Sequence, residues 1–170
     1  RYYITTPIYY VNDVPHIGHA YTTLACDVMA RFKRLDGYDV MFLTGTDEHG
    51  QKVEDAAKSS GLTPLEFTDK VSKNFRDLLP KYNISNDDFI RTTEPRHIQS
   101  VQEIWRRLIE NDQIYLGKYS GWYSVRDEAF FSESELVDGS APTGAPVQWV
   151  EEPSYFFNLS KWQGPLLNFY

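Results

Sequence analysis

Cysteine is almost absent: Cys26 is the only one in 170 residues. A lone thiol makes no internal disulfide and rules out a multi-cysteine metal site built from this chain. The usage fits a reducing compartment. Long apolar runs are also lacking. None approaches the roughly 20 residues of a membrane-crossing helix, and no basic, apolar, small-residue leader opens the chain. Basic charge is in deficit, with 17 Lys and Arg against 24 Asp and Glu and a formal net charge of -7. Attraction to phosphate backbones needs clustered cations. Membrane and DNA are therefore not expected as partners, and any RNA contact must be local or lie elsewhere. Aromatic residues are plentiful by contrast, with 12 Tyr, 10 Phe and 4 Trp, enough to suggest pocket walls as well as core.

Strand-like and helix-like segments alternate through the first two thirds. Residues 2–11 are β-branched and aromatic, the composition of a buried strand, with Pro7 placed to interrupt its ladder. Asn12, Asp13, Val14 and Pro15 form a turn cluster. Ile17, Tyr21, Leu24, Val28, Phe32 and Leu35 then recur at helical spacing, and Gly37 is placed to end that helix. A second strand is predicted over 38–44, a polar loop over 45–50 and a helix over 51–60. Thr63, Pro64 and Glu66 spell a capping box for a helix carrying Phe67, Val71, Phe75, Leu78 and Tyr82. A third strand is predicted over 89–92. Glu94-Pro95 opens a further helix, with Ile98, Val101, Ile104, Trp105 and Leu108 on one face. This alternation predicts an α/β fold, a Rossmann-like parallel sheet with crossover helices, over residues 1–112. From about residue 113 to 170 the pattern changes to short aromatic runs broken by Gly, Ser and Pro, which predicts a small β-rich insertion. Arg1 opens directly on a strand and Tyr170 closes inside an apolar pattern, so the chain is expected to be a piece of a longer protein.

The junction between the first strand and first helix reads Pro15-His16-Ile17-Gly18-His19. Ligands of open α/β sheets bind at such junctions, and a helix start offers free N–H groups and a positive dipole end to phosphate. Two histidines three apart fit one bound triphosphate, and Gly18 leaves room for a flat ring against the backbone. The same pair is also compatible with metal binding or with a plain helix cap. The loop after the second strand carries Asp47, Glu48 and His49, and the parallel sheet turns it toward the same crevice. Asp47 suits a ligand ammonium group, although Asp, Glu and Gly are also ordinary turn residues.

The segment Pro15 to His19 resembles the signature of class I aminoacyl-tRNA synthetases. Tyr3 to Asn12, running into Pro15 to Tyr21, together with Phe42 to Lys52, Tyr119 to Phe131 and Trp149 to Leu167, resembles the methionyl-tRNA synthetases in particular, over essentially the whole chain. The resemblance implies activation of methionine with ATP and Mg2+, then transfer to tRNA(Met), in the cytoplasm, with the mitochondrial matrix as the alternative compartment. It implies His16 and His19 as catalytic and ATP-binding residues, Gly18 under the adenine, and Ile8, Tyr10 and Asp47 around methionine. The second signature loop of the family, Lys-Met-Ser-Lys-Ser, does not occur here. The 170-residue chain by itself is therefore expected to be inactive.

Many members of the family bind zinc through cysteine pairs in the insertion. Here Ser124 and Asp127 stand where the first pair would be, and no cysteine lies between Gly139 and Pro146. No zinc is expected, and Trp122, Tyr123, Phe130, Phe131 and Trp149 are expected to hold the insertion together. Two other readings compete with it: an adenylating enzyme that never handles tRNA, and a non-catalytic synthetase-like scaffold. The aromatic insertion argues against the first, and intact His16, His19 and Asp47 argue against the second.

Overall fold

The computed structural model describes every residue from Arg1 to Tyr170. It divides into two compact units, Arg1–Gln102 and Glu103–Tyr170.

The first unit is a parallel sheet with crossover helices. Strand β1 (Tyr2–Thr5) and the short β2 (Tyr9–Tyr10) lie in line along one edge of β3 (Val40–Asp47), and β4 (Asp88–Arg91) lies along the other; all pairs are parallel. The break between β1 and β2 falls at Pro7, which has no N–H to give to the ladder. Helices α1 (Ile17–Leu35), α2 (Gln51–Ser59), α3 (Pro64–Lys81) and α4 (Pro95–Glu110) make the connections, and the unit boundary falls within α4. The α3 capping box forms as its sequence predicts, with Thr63 and Glu66 bonded reciprocally.

The central strand runs further than its composition suggests. The polar stretch 45–47, read from sequence as loop, is the end of β3. Thr44, Gly45 and Thr46 are buried there. All three pair with β4, and Thr46 also pairs with β2 on the other edge, so the buried strand does not depend on apolar side chains. The register brings β4 so close that a Cβ on residue 45 would lie 2.0 Å from the Ile90 carbonyl oxygen. Only glycine fits.

The core lies between the sheet and α2 and α3, built from Tyr9, Val11, Val53, Ala57, Phe67, Val71, Phe75 and Phe89. Helix α1 is seated differently. The apolar positions that mark it in sequence face solvent in this chain, Tyr21 at 76% and Val28 at 66% exposure. Its buried residues are Thr23, Asp27 and Ala30, and the two polar ones are fastened by hydrogen bonds. Buried Asp27 accepts from the Ser85 backbone N–H at 2.7 Å and from the Ser85 hydroxyl at 2.6 Å, and pairs with Arg31 at 2.7 Å. Periodicity locates this helix correctly but does not say which face is buried.

The second unit contains an antiparallel sheet in the order β6 (Ala129–Phe131), β5 (Ile114–Ser124), β7 (Gln148–Phe157), followed by a short helix α5 (Gln163–Phe169). The short runs read from sequence join into two long strands because the sheet passes through Gly117 and Gly121. At Gly117 a Cβ would meet the Phe156 ring at 2.8 Å. The expected aromatic contacts are present: Trp122 meets Trp149 edge-to-face at 5.4 Å, and Tyr123 meets Phe130 at 4.8 Å.

Candidate active site

Helix α1 is capped by its own histidines. The Gly18 backbone N–H donates to His16 Nδ1 at 3.1 Å, and the His16 backbone N–H donates to His19 Nδ1, also at 3.1 Å. The rings stack with centroids 3.8 Å apart. The cap reading of the pair is therefore correct, and it has a chemical consequence. A backbone N–H only donates, so both Nδ1 atoms are lone-pair acceptors. Each neutral ring then carries its single proton on Nε2, which leaves two Nε2–H donors side by side at the positive end of a 19-residue helix. Burial, followed by the neighbouring His16, lowers the His19 pKa below the ordinary histidine value and favours this neutral form.

Gly18 has a direct steric role in the cap. A Cβ there would lie 2.9 Å from His16 Cε1, closer than real Cβ contacts come. The missing side chain makes room for the ring that closes the cap.

Tyr10 and Asp47 lie at the same end of the sheet as the histidine pair. Tyr10, His16 and His19 line one cleft of about 450 Å³ together with the 12–15 turn. Asp47 is the register partner of Tyr10 across the β2–β3 pair. Ile8 and Tyr10 are 40% and 47% exposed, so neither belongs to the core of this chain.

The three residues after β3's buried stretch behave differently from one another. The Asp47 carboxylate has no hydrogen-bond or ion-pair partner within the chain. Glu48 does not open toward the crevice as the sequence reading had it. It is 3% exposed and accepts from Arg91 Nε at 2.7 Å, Arg91 Nη2 at 2.8 Å, Thr46 at 2.7 Å and Thr93 at 2.6 Å. Burial acts to raise its pKa, but the bonds from Arg91, Thr93 and Thr46 outweigh it, and the net shift is downward. Glu48 is a structural clamp between β3 and β4. The His49 ring lies 3.4 Å from the Thr92 carbonyl oxygen.

Residues 2–148 match the family of tRNA synthetases class I (M). The chain belongs to that family. Among class I (M) relatives, a Methionine--tRNA ligase of Rickettsia felis is 70% identical over 170 residues, covering 99% of this chain and 33% of that protein. A Methionine--tRNA ligase of Mesorhizobium japonicum is 55% identical over 175 residues, covering 100% of this chain and 34% of that protein. A Mycobacterium tuberculosis methionyl-tRNA synthetase solved in complex with methionyl-adenylate superposes with a TM-score of 0.89 at 53% identity, covering 99% of this chain and 34% of that one. The chain thus spans about a third of the length of the class I (M) synthetases it matches.

The zinc ligands carried by many class I (M) synthetases do not fit this insertion. Ser124 is fully buried, and its hydroxyl donates to Asp127 Oδ2 at 3.0 Å. Thr143 donates to the same oxygen at 2.5 Å, and Arg126 reaches the Thr143 carbonyl at 2.8 Å. These groups satisfy one another, and no cluster of His, Cys, Asp or Glu in the chain has the makings of a metal site. A hydrogen-bonded staple joins the 124–127 turn to the segment around Thr143.

Sequence reasoning passed over Tyr9, Thr23 and Phe75 as parts of this site. Tyr9 sits in β2 between Ile8 and Tyr10, so period-2 alternation already put its ring on the opposite face. That ring lies 4.7 Å from the His19 ring. The helical register of Phe75 was legible, but its contact with His19, 5.1 Å away, was not.

Proposed function

We propose that the full-length protein carrying this chain activates methionine with ATP and charges tRNA(Met). The observation that carries this reading is the grouping at the start of α1: two imidazoles with Nε2–H free, in one cleft with Tyr10, whose register partner Asp47 keeps an unpartnered carboxylate. Family membership and relatives named Methionine--tRNA ligase support it.

ATP enters as its Mg2+ complex. The methionine carboxylate oxygen attacks the α-phosphorus, the bond from that phosphorus to the bridging oxygen breaks, and pyrophosphate leaves. His16 and His19 donate from Nε2 to phosphate oxygens as negative charge builds on them, and no proton transfer is required of them. Fixed donors in this position act by positioning and electrostatics. Gly18 leaves the helix start open to the adenine. Asp47 pairs with the α-ammonium, and Ile8 and Tyr10 flank the thioether; a sulfur–aromatic contact contributes about 0.3–1.5 kcal/mol. A terminal hydroxyl of the tRNA then attacks the carbonyl of methionyl-adenylate, and AMP leaves.

Residues 1–112 serve as the first half of the catalytic domain and 113–170 as the start of its insertion, so the 170-residue chain by itself is inactive. No helix is long and apolar enough to cross a membrane, and the matched relatives are bacterial; the reading places the enzyme in the cytoplasm, without zinc. The test is methionine-dependent exchange of pyrophosphate into ATP by the full-length protein. Exchange with methionine but not leucine is expected, together with a loss of about 10²-fold or more for His16→Ala or His19→Ala. Absence of methionine-dependent exchange in the unaltered enzyme overturns the reading.

A further inference from the structure

We propose that Tyr9 is a positioning residue that fixes the His19 imidazole in its donating orientation, with Phe75 and Thr23 as its partners; this rests on the role given to His19 above.

The Tyr9 ring is tilted against the His19 ring at 4.7 Å and stacked on Phe75 at 5.7 Å, and Phe75 meets His19 edge-on at 5.1 Å. His19 therefore rests on an aromatic floor supplied by a strand and by a helix more than 50 residues away in sequence. The phenol adds a second hold. Thr23 donates its hydroxyl proton to the His19 carbonyl at 2.8 Å. Since that proton is committed, the 2.9 Å contact between Tyr9 and Thr23 runs from the phenol to Thr23 Oγ1. The phenol oxygen also lies 3.4 Å from the same carbonyl. Burial raises the Tyr9 pKa and keeps the phenol protonated as this relay needs. The histidine is thus held at three points: its Nδ1 by the cap, its ring by Tyr9 and Phe75, and its carbonyl by the hydroxyl relay.

A cavity explains why the floor matters. Behind His19 lies a small apolar void of about 20 Å³, bordered by Tyr9, His19, Thr23, Leu24 and Phe75 among others, room for about one water. Without the Tyr9 ring this void enlarges, and the imidazole gains a place to retreat to, away from the phosphate. A tyrosine that only filled the core would have no use for its hydroxyl; phenylalanine has the same ring.

The experiment is steady-state pyrophosphate exchange by the full-length enzyme with Tyr9→Phe, Tyr9→Leu, Thr23→Val and Thr23→Ser, over a range of pH. Tyr9→Phe and Thr23→Val each lose part of the relay, and kcat is expected to fall about 2- to 10-fold, the size of one hydrogen bond. Thr23→Ser restores what Thr23→Val loses. Tyr9→Leu removes the floor, and kcat is expected to fall about 10²-fold, as for a small misplacement of a reacting group. KM for methionine and for ATP stays within about twofold throughout, because the ground-state contacts are not removed. Tyr9→Leu also hydrates His19, so the acid limb of its kcat profile moves to higher pH, while that of Tyr9→Phe does not move.

The proposal is overturned if folded Tyr9→Leu keeps kcat within twofold and an unmoved acid limb, or if kcat falls only in step with rising KM for both substrates. If Tyr9→Leu does not fold, unchanged kcat in both Tyr9→Phe and Thr23→Val overturns it instead. An unaltered enzyme without methionine-dependent exchange removes the reading of the site, and the proposal with it; an active enzyme with indifferent variants removes the proposal alone.

Discussion

Asp47 and Glu48 are adjacent carboxylates with opposite bonding: Glu48 accepts from Arg91, Thr46 and Thr93, and Asp47 has no partner within the chain. One acid is spent on the fold, and the other is the one to which the proposed function gives the methionine ammonium. Asp47→Ala is therefore expected to raise KM for methionine by about 10- to 100-fold, the range for one charge-assisted hydrogen bond, with KM for ATP nearly unchanged. Exchange kinetics at varied concentrations of each substrate check this. An equal loss of both affinities would point to a folding defect.

Glu48→Gln should act on stability. It breaks a pair whose carboxylate side chain is 0% exposed and leaves Arg91 half satisfied, a cost of about 3–5 kcal/mol for removing one partner of a buried pair. The measurement is the urea midpoint. The pH dependence has a definite sign. The folded-state pKa of Glu48 is lowered, so its stabilisation is present above the ordinary glutamate range and fades as pH falls through the folded-state value. The variant should therefore show a flatter decline of stability in acid.

The histidine cap ties protonation to the helix start. A proton on Nδ1 of His19 cannot coexist with the bond from the His16 backbone N–H. With the folded-state pKa of His19 lowered, the unfolded chain takes up its proton first, near the ordinary value of about 6.5. Stability from the cap is complete above that value and declines as pH falls below it. Amide hydrogen exchange of residues 17–20 should quicken below about pH 6.5, and the kcat of methionine activation should fall over the same range. Equal protection at pH 5 and pH 8, after correction for intrinsic rates, contradicts the coupling.

Gly18→Ala separates activity from stability. Alanine favours a helix over glycine by about 1 kcal/mol, yet its Cβ would lie 2.9 Å from His16 Cε1. The ring must move. Exchange activity should drop by about tenfold or more through misplacement of the donor, while thermal stability stays level or rises.

Metal analysis checks the Ser124–Asp127–Thr143 staple. The purified full-length enzyme should carry no stoichiometric zinc, and dialysis against a chelator, followed by assay with Mg2+ restored, should leave exchange activity unchanged. Bound zinc lost together with activity would reverse the account of the insertion.

Much of this was legible in the sequence because local rules and tertiary packing agree there. The bounds of α1, the Thr63–Glu66 box and the Pro7 interruption follow from spacing and proline chemistry alone. What escaped depended on partners far along the chain. Residues 45–47 read as polar loop because a buried strand end held by backbone pairing with β4 leaves no apolar trace. The apolar stripe of α1 gave the helix but not its seating, which the Asp27–Ser85 bonds determine. Tyr9 was hidden among aromatic neighbours, and only the fold reveals that it faces His19. Glu48 and Asp47 could not be told apart without knowing where Arg91 lies, 43 residues later.

Gly45 touches no ligand in any role described here, yet its neighbour β4 leaves no space for even a methyl group. Any replacement must push β4 outward or twist β3, and Asp47 is two residues further along that strand. A change at position 45 would therefore disturb the Asp47 carboxylate while lying wholly outside the cleft, an injury conducted along the backbone to the tip of the strand.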